Sequence, residues 1–183
     1  DYPKENMKKT LIGILLLVLM QSYGSLVVEN ISYSIKLNEN GGGQATLTFV
    51  DIQSDAIGNN EFDEDKDLLF NYILKSDDFL KSMNDEGKSI SGRELIPQDG
   101  KLNGRVVYTF EDITRVEGMR KEGGFIYLTL QVEDSVSATN GEMVITSEYK
   151  RIIWEAGTKE LTFTVLSADP ERVTRPLLPF YKK

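Results

Sequence analysis

The sequence predicts an α+β fold, in which a mostly antiparallel sheet of about six to seven strands has one long helix packed on one face. Two patterns lead to this prediction. Apolar and polar residues alternate along several segments, as in half-buried strands, and one segment repeats its apolar residues at steps of three and four, as in a helix. A partly closed barrel of the same strands, with the helix at one end, is the alternative.

The first two long strands are expected to form a hairpin. Apolar residues occupy alternate positions in segments 31–37 and 45–49, and the residues between them, 38–43, are rich in asparagine and glycine. Both residue types tolerate the positive φ angles that tight turns require. We therefore expect two antiparallel neighbours joined by this turn.

The predicted helix follows an acidic segment. Five of the residues 61–67 are acidic, and a negative charge ahead of a helix suits the positive end of its dipole. The apolar stripe begins at Leu68 and stops near Gly87. Its expected core positions are Leu69, Ile73, Leu80 and Met83.

The acidic segment contains a candidate calcium motif. Asp63, Asp65 and Asp67 have the spacing with which an EF-hand loop begins. That loop needs glycine at its sixth position and a bidentate glutamate at its twelfth, where this chain has Leu68 and Leu74. The pattern excludes an EF-hand and leaves looser calcium binding by this loop as an alternative.

The second half of the chain is expected to consist mainly of strands and turns, because period-two alternation continues there and Asp99-Gly100 is a strong hairpin signal. Segment 125–132 has apolar residues on both faces, which indicates a central strand. The other expected elements are strands at 90–96, 106–110 and 161–165, a strand at 143–149 that extends toward 154, a short helix within 112–116 and a loop at 118–124.

One compact domain accounts for most of the chain, since 183 residues with 40% apolar content are enough for a single core. The expected organisation is an upstream extension at 1–6, a signal peptide at 7–24, a single α+β domain at 25–169 and an extended C-terminal arm at 170–183. The signal peptide is indicated by two lysines after Met7, an apolar run at 11–20 and small residues at 22–24. We therefore expect an extracytoplasmic location, in the periplasm or envelope of a bacterium.

The end of the signal segment is similar to a lipoprotein signal in which a cysteine would occupy position 23. This chain has Tyr23, which offers no thiol for acylation. An uncleaved membrane anchor is the alternative to an export signal, because no charged residue occurs in segment 10–28. Membrane association is expected only if the segment is uncleaved.

Composition excludes several classes of function. The chain has no cysteine and no histidine, which removes disulfides, thiolate nucleophiles, imidazole catalysis and the usual zinc ligands, so we expect no metal or organic cofactor. The net charge of −8 argues against nucleic acid as a partner. Ser147 and Lys150 have the spacing of serine–lysine acyl enzymes, but in the predicted strand they face opposite sides. Trp154, in an apolar run, is expected in the core.

The chain is therefore not expected to be an enzyme. We expect a non-enzymatic envelope module that binds a partner protein or a glycan; a carboxylate-dependent hydrolase and a membrane-anchored structural envelope protein are the alternatives. Binding is expected in the loops at 54–67 and 118–124 and in the basic arm, which suits an acidic surface. The candidate binding residues are Asp63, Asp65, Asp67, Arg172 and Arg175.

Several segments carry a family resemblance. The lipoprotein-like signal, the hairpin segment 35–41, the stretch from 93 to 113 and the ending 179–183 together resemble a group of small exported lipoproteins of Bacteroidota-type bacteria whose function is uncharacterised. The resemblance covers most of the mature chain and implies an envelope location without implying any chemistry. A looser similarity to LppM-like envelope domains, a sheet with a helix between its second and third strands, implies the same architecture.

Overall fold

The computed structural model describes residues 25–166 and 172–182. The predicted upstream extension and signal peptide, including Tyr23, lie outside these residues, as do Pro170 and Lys183. Within the described part of the chain, no helix combines the length and the apolar character needed to cross a bilayer.

The fold is built mainly from three antiparallel sheets, so the predicted single sheet with one long helix is wrong. Strands account for 49% of the described residues and helices for 21%, and the helical part consists of short segments. The predicted number of strands is too low as well. Several strands are only two to five residues long, which is too short to produce a visible alternation.

The largest sheet has six strands. From one edge to the other they are β5 (Lys88–Gln98), β6 (Lys101–Phe110), β3 (Gly43–Val50), β2 (Asn30–Leu37), β12 (Glu160–Leu166) and β9 (Ser135–Thr139). The predicted first hairpin is confirmed, since Ile31 lies opposite Phe49 and Ile35 lies opposite Ala45. These alternating apolar side chains are buried on one face of the sheet.

The other two sheets are smaller. The four-stranded sheet contains, in spatial order, β10 (Glu142–Ile145), β11 (Lys150–Glu155), β8 (Phe125–Leu130) and β7 (Met119–Glu122). The three-stranded sheet contains β1 (Leu26–Val27), β4 (Gln53–Ser54) and β13 (Arg175–Pro176). The predicted central strand is confirmed as β8, which has a neighbour on each side. Two expectations are corrected: segment 118–124 forms β7 and a turn instead of a loop, and the strand that begins near 143 ends at Ile145.

The inner faces of the two larger sheets share one core. The ring of Trp154 on β11 lies 5.9 Å from that of Phe163 on β12, and Phe163 stacks on Tyr33 of β2 at 4.5 Å. Trp154 is buried, as predicted, and its indole N–H donates to the side-chain oxygen of Asn140 at 2.8 Å. Position 141 has to be glycine, because a Cβ there would lie 2.6 Å from the indole.

Backbone geometry confirms two local predictions. Asp99 and Gly100 have φ angles of 52° and 76°, as expected for a type I′ turn between β5 and β6. The short predicted helix is a 3-10 turn, Ile113–Arg115, that begins after Asp112. The carboxylate of Asp112 accepts hydrogen bonds from the hydroxyl and the N–H of Thr114, which lower the pKa of Asp112.

The helical region begins earlier than predicted and is interrupted once. Helix α1 (Asn59–Asp67) continues into a wider π-helical turn (Leu68–Ile73), and α2 (Asp77–Asp85) follows after a break. Of the predicted core positions, Leu80 is only half-buried, and the others, Leu69, Ile73 and Met83, are buried. The acidic segment is therefore helical and is not the expected loop.

Ser76 explains the interruption. Its backbone is extended and its hydroxyl accepts a hydrogen bond from the N–H of Asp78 at 3.0 Å, so it is the N-cap of α2. The guanidinium of Arg93 on β5 also binds the backbone at this break between the helices. It donates to the carbonyl oxygens of Ile73 and Ser76 at 2.8 and 2.9 Å. These bonds satisfy acceptors that a continuous helix would have used internally.

Candidate functional site

The three predicted aspartates lie on α1. Asp63 and Asp67 are exposed, whereas Asp65 is only 1% exposed. Each helical residue turns by about 100° about the axis, so residues two positions apart diverge by about 200°. Asp63 and Asp67 therefore share an outer face, and Asp65 points into the protein.

Asp65 connects α1 by hydrogen bonds to Ser25, at the start of the described chain, and to Ser54 on β4. One of its carboxylate oxygens accepts a hydrogen bond from the backbone N–H of Ser25 at 2.7 Å, and the other accepts one from the hydroxyl of Ser54 on β4. That hydroxyl accepts in turn from the N–H of Ala56 at 3.1 Å. Asp65 therefore has a structural role and is not open to a ligand.

Replacing Asp65 by alanine should destabilise the protein by about 1–3 kcal/mol, because the hydroxyl of Ser54 and the N–H of Ser25 lose their acceptor. Thermal unfolding measures the loss. Asp63→Ala, on the exposed face of the same helix, is the matched control and should change stability by less than about 0.5 kcal/mol. Equal melting temperatures for the two variants would contradict the structural role of Asp65.

The C-terminal arm lies against the same helix, so both predicted arginines have partners within the chain. The guanidinium of Arg172 pairs with Asp55 at 3.1 Å. The guanidinium of Arg175 lies 3.7 Å from the ring centroid of Phe62 and donates to the side-chain oxygen of Asn59 at 3.3 Å. The pairing of β13 with β4 extends these contacts. The arm therefore packs on the N-terminal end of α1.

Lys66 connects the arm to the acidic face of α1. Its ammonium lies 4.6 Å from the ring centroid of Phe180 and 5.3 Å from that of Phe62, and it pairs with Asp63 at 2.7 Å. The two rings themselves meet edge to face at 5.4 Å. Cation–π contacts of this kind hold the ammonium in place, so one acidic charge of α1 is compensated within the chain.

A groove of about 620 Å³ lies between α1 and α2. We call it the interhelical groove, and its lining residues are Asp63, Glu64, Asp67, Leu68, Tyr72, Ile73 and Ser82. Ligand sites in proteins commonly have volumes of about 300–1,000 Å³ and combine apolar lining with a few polar groups. The groove therefore has the size and the mixed lining of a binding site. Glu64, Tyr72 and Ser82 are lining residues that the sequence pattern does not single out as binding residues.

The charge of the interhelical groove is negative. Asp63 pairs with Lys66, but Glu64 and Asp67 form no salt bridge among the described residues. The side-chain N–H of Asn71 donates to Asp67 at 2.6 Å and orients its carboxylate. Within residues 25–166 and 172–182, no group of three carboxylates is arranged to hold a metal ion. The groove is therefore suited to a ligand that carries a positive charge and an apolar surface.

A second polar cluster lies inside the core. Lys88 is 4% exposed, and its ammonium contacts the carboxylates of Glu117 and Glu86, the latter at 3.2 Å. The hydroxyls of Tyr33 and Tyr108 are buried and have no hydrogen-bond partner among the described residues. Burial raises the pKa of Glu117 although Lys88 opposes the shift. Burial, together with the nearby charge of Glu117, also raises the pKa of both tyrosines. The buried members of the cluster therefore have a structural role.

The serine–lysine spacing does not form a catalytic pair. Ser147 lies in the turn between β10 and β11 and not in the predicted strand. The hydroxyl oxygen of Thr146 accepts a hydrogen bond from the N–H of Tyr149 at 3.0 Å, which closes this turn. The ammonium of Lys150 donates to the backbone carbonyl of Asp134. Neither side chain is placed to activate the other.

Comparisons of this chain with models of protein families, with curated proteins and with solved structures give no match. The resemblance to small exported lipoproteins therefore stays a prediction.

Proposed function

We propose that this chain is an extracytoplasmic, non-enzymatic binding module of the bacterial envelope, and that its interhelical groove binds a cationic, amphipathic segment of a partner protein. One observation carries the proposal: apolar side chains and three carboxylates line the same open groove. The charge and hydropathy pattern of segment 7–24 supports the location.

The lining favours a peptide segment over a sugar. Leu68 and Ile73 are aliphatic and offer contacts to apolar side chains, as in grooves that accept an amphipathic helix. Tyr72 is the only aromatic residue among the described residues of the lining. A single tyrosine among aliphatic and carboxylate side chains offers little aromatic surface on which a sugar ring could stack, so the groove suits a protein partner better.

The carboxylates determine which partner binds. Because Asp63 is already paired with Lys66, Glu64 and Asp67 supply the two new pairs. An exposed ion pair contributes about 0.2–1 kcal/mol, so two pairs contribute roughly 0.4–2 kcal/mol, or about two- to thirtyfold in affinity. Such pairs weaken with salt because exposed charges are screened over about 8–10 Å. Apolar contact with the lining supplies the remaining affinity, at roughly 25 cal/mol for each Å² buried.

A labelled peptide in which lysine and leucine recur at helical spacing provides the test, with fluorescence anisotropy as the measurement. We expect binding that weakens about tenfold in a triple variant with Asp63→Asn, Glu64→Gln and Asp67→Asn. The matched control removes three exposed acidic groups of α2 outside the groove, by Asp77→Asn, Asp78→Asn and Asp85→Asn. Both triple variants change the net charge equally, so only contact with the groove separates them.

Two results would refute the proposed groove function. If both triple variants lose affinity equally, the peptide is attracted by net charge and not by the groove. If the unmodified protein does not bind the peptide at low salt, or binds an acidic peptide of the same apolar pattern equally well, the groove does not select a cationic segment.

A further inference from the structure

We infer that β10, an edge strand of the four-stranded sheet, is a self-association surface at which two copies of this chain pair antiparallel about Val144. We call this surface the β10 edge, and it consists of the backbone and side chains of Glu142–Ile145. The pairing joins the four-stranded sheets of the two copies into one continuous sheet. It involves neither α1 nor α2, so it is independent of the interhelical groove.

The β10 edge is the least protected of the longer sheet edges among the described residues. Proteins protect such edges with bulges or charged side chains, because an unpaired edge can pair with another chain. Both edges of the six-stranded sheet have a bulge, at Ser91 of β5 and at Ser137 of β9. At the other edge of the four-stranded sheet, three of the four residues of β7 are charged. In contrast, β10 has a regular register and one charged residue, Glu142.

The hydrogen bonds of the β10–β11 hairpin show which backbone groups face outward. The N–H of Thr146 donates to the carbonyl oxygen of Tyr149 at 2.9 Å, so these two residues form a hydrogen-bonded pair. Bonded and non-bonded pairs alternate along an antiparallel ladder, which makes Val144 the next residue that bonds to β11. Met143 and Ile145 therefore direct their N–H and C=O groups away from β11. Among the residues that the structure describes, no strand pairs with this side of β10.

One register of a second copy uses all of these outward groups. With Val144 on the two-fold axis, Met143 of each copy forms a bonded pair with Ile145 of the other. Met143 lies opposite the buried Ile152, so Met143 and Ile145 share the inner face of the sheet. Ile145 is 65% exposed in one copy, and the second copy covers it with Met143. The edge is therefore complementary to itself, as a two-fold interface between identical chains requires.

No like charges lie opposite one another in this register. Glu142 is the only charged residue of β10, and it faces Thr146 of the second copy. The Cα atoms of the two Glu142 residues are at least about 14 Å apart, since four strand residues separate them, and exposed charges are screened over about 8–10 Å. Lys150 and Arg151 on the neighbouring strand β11 add positive charge, and Glu148 lies in the turn beyond the paired residues. Because the net charge is −8, we expect salt to strengthen the association.

Oxidative cross-linking of single-cysteine variants tests the pairing, because the chain has no cysteine of its own. Val144 faces its own copy as a non-bonded pair with Cα atoms about 4.5 Å apart, a distance that a disulfide can span. We expect Val144→Cys to form a covalent dimer at least about tenfold faster than Glu142→Cys, whose two copies are too far apart. Glu142 is the matched control, since it lies on the same strand and face and is more exposed.

Sedimentation of the full chain at concentrations up to about 1 mM measures the association itself, which we expect to be weak because the contact is small. Ile145→Lys should weaken dimerisation at least about tenfold, because a lysine on an edge strand blocks pairing. Ile57→Lys is the matched control: it makes the same change at a residue that is 98% exposed and precedes α1. It should dimerise as the unmodified protein does, and melting temperatures verify that each variant is folded.

Three results would overturn the inference. One is a monomer at every concentration, which would leave the β10 edge to a strand of another protein. Another is that Glu142→Cys cross-links as fast as Val144→Cys, since random collision would then explain the dimer. The last is that folded Ile145→Lys dimerises as well as Ile57→Lys. None of these residues lines the interhelical groove, so failure here leaves the proposed protein-binding function as it stands.

Discussion

Replacing Lys88 by methionine should destabilise the protein by about 3–5 kcal/mol, because the carboxylate of Glu117 would lose its partner inside the core. Lys88 is 4% exposed and contacts both Glu117 and Glu86, of which Glu117 is the more deeply buried, with 12% of its side chain exposed. Chemical unfolding at neutral pH measures the loss. A double variant, Lys88→Met with Glu117→Gln, should recover most of it, since the buried charge is removed together with its partner.

The same pair makes stability depend on pH. The pKa of Glu117 lies above its ordinary value of 4.5 because of burial, so the folded state binds this proton more tightly than the unfolded state does. The stability that this proton contributes is fully present below pH 4.5, the ordinary pKa of a glutamate, and is lost as the pH rises through the higher pKa of Glu117 in the folded protein. Glu117→Gln should therefore flatten the dependence of stability on pH in this window.

A single Lys88→Met variant as stable as the unmodified protein would contradict the role assigned to the pair.

Replacing Phe110 or Leu128 by alanine should destabilise the protein by about 2–5 kcal/mol, which is a large part of a typical total of about 5–15 kcal/mol. Phe110 ends β6 and Leu128 is central to β8, so the two variants remove apolar volume from the inner faces of both larger sheets. Phe110 is 5% and Leu128 is 2% exposed. Thermal unfolding of each single variant measures the effect.

Ile57→Ala is the matched control for these core variants, because Ile57 is 98% exposed and its side chain is already in water. It should change stability by less than about 0.5 kcal/mol. Melting temperatures that do not differ between Ile57→Ala and both core variants would show that the two inner faces do not share a packed core.

The longer strands and their turns could be predicted from the sequence because one face of each strand is buried and the other faces solvent. The segment that became β2 shows this alternation over its whole length, and the Asp99-Gly100 turn matches its sequence signal. The strands β1, β4 and β13 have only two residues each, so no period is visible in them. They are defined by pairing between segments that are distant along the chain, and the pattern of residues within one segment cannot show such pairing.

The helical region was predicted incorrectly for two identifiable reasons. Phe62, Asp65 and Leu69 form a buried stripe at helical spacing, but the middle position is a carboxylate, which hides the start of the stripe. Ser76 lies at helical spacing within the apolar stripe, yet its hydroxyl caps α2 and divides the helix. The first error arises because a polar side chain can be buried when the fold supplies its hydrogen bonds. The second arises because a serine hydroxyl can replace a helical hydrogen bond and cap a new helix.

The candidate residues were only partly predictable from the sequence. Asp63 and Asp67 line the interhelical groove, while Asp65, Arg172 and Arg175 bind within the chain. The sequence shows that acidic residues cluster, but the direction in which each side chain points depends on whether the segment is a loop or a helix.

Amide chemical-shift mapping of the bound lysine–leucine peptide tests the proposed function most directly. The proposal predicts that the largest shifts occur at Glu64, Leu68 and Tyr72, around the interhelical groove, and that residues of β8 are unaffected. Shifts spread evenly over the acidic surface, or centred on a site away from α1 and α2, would contradict it.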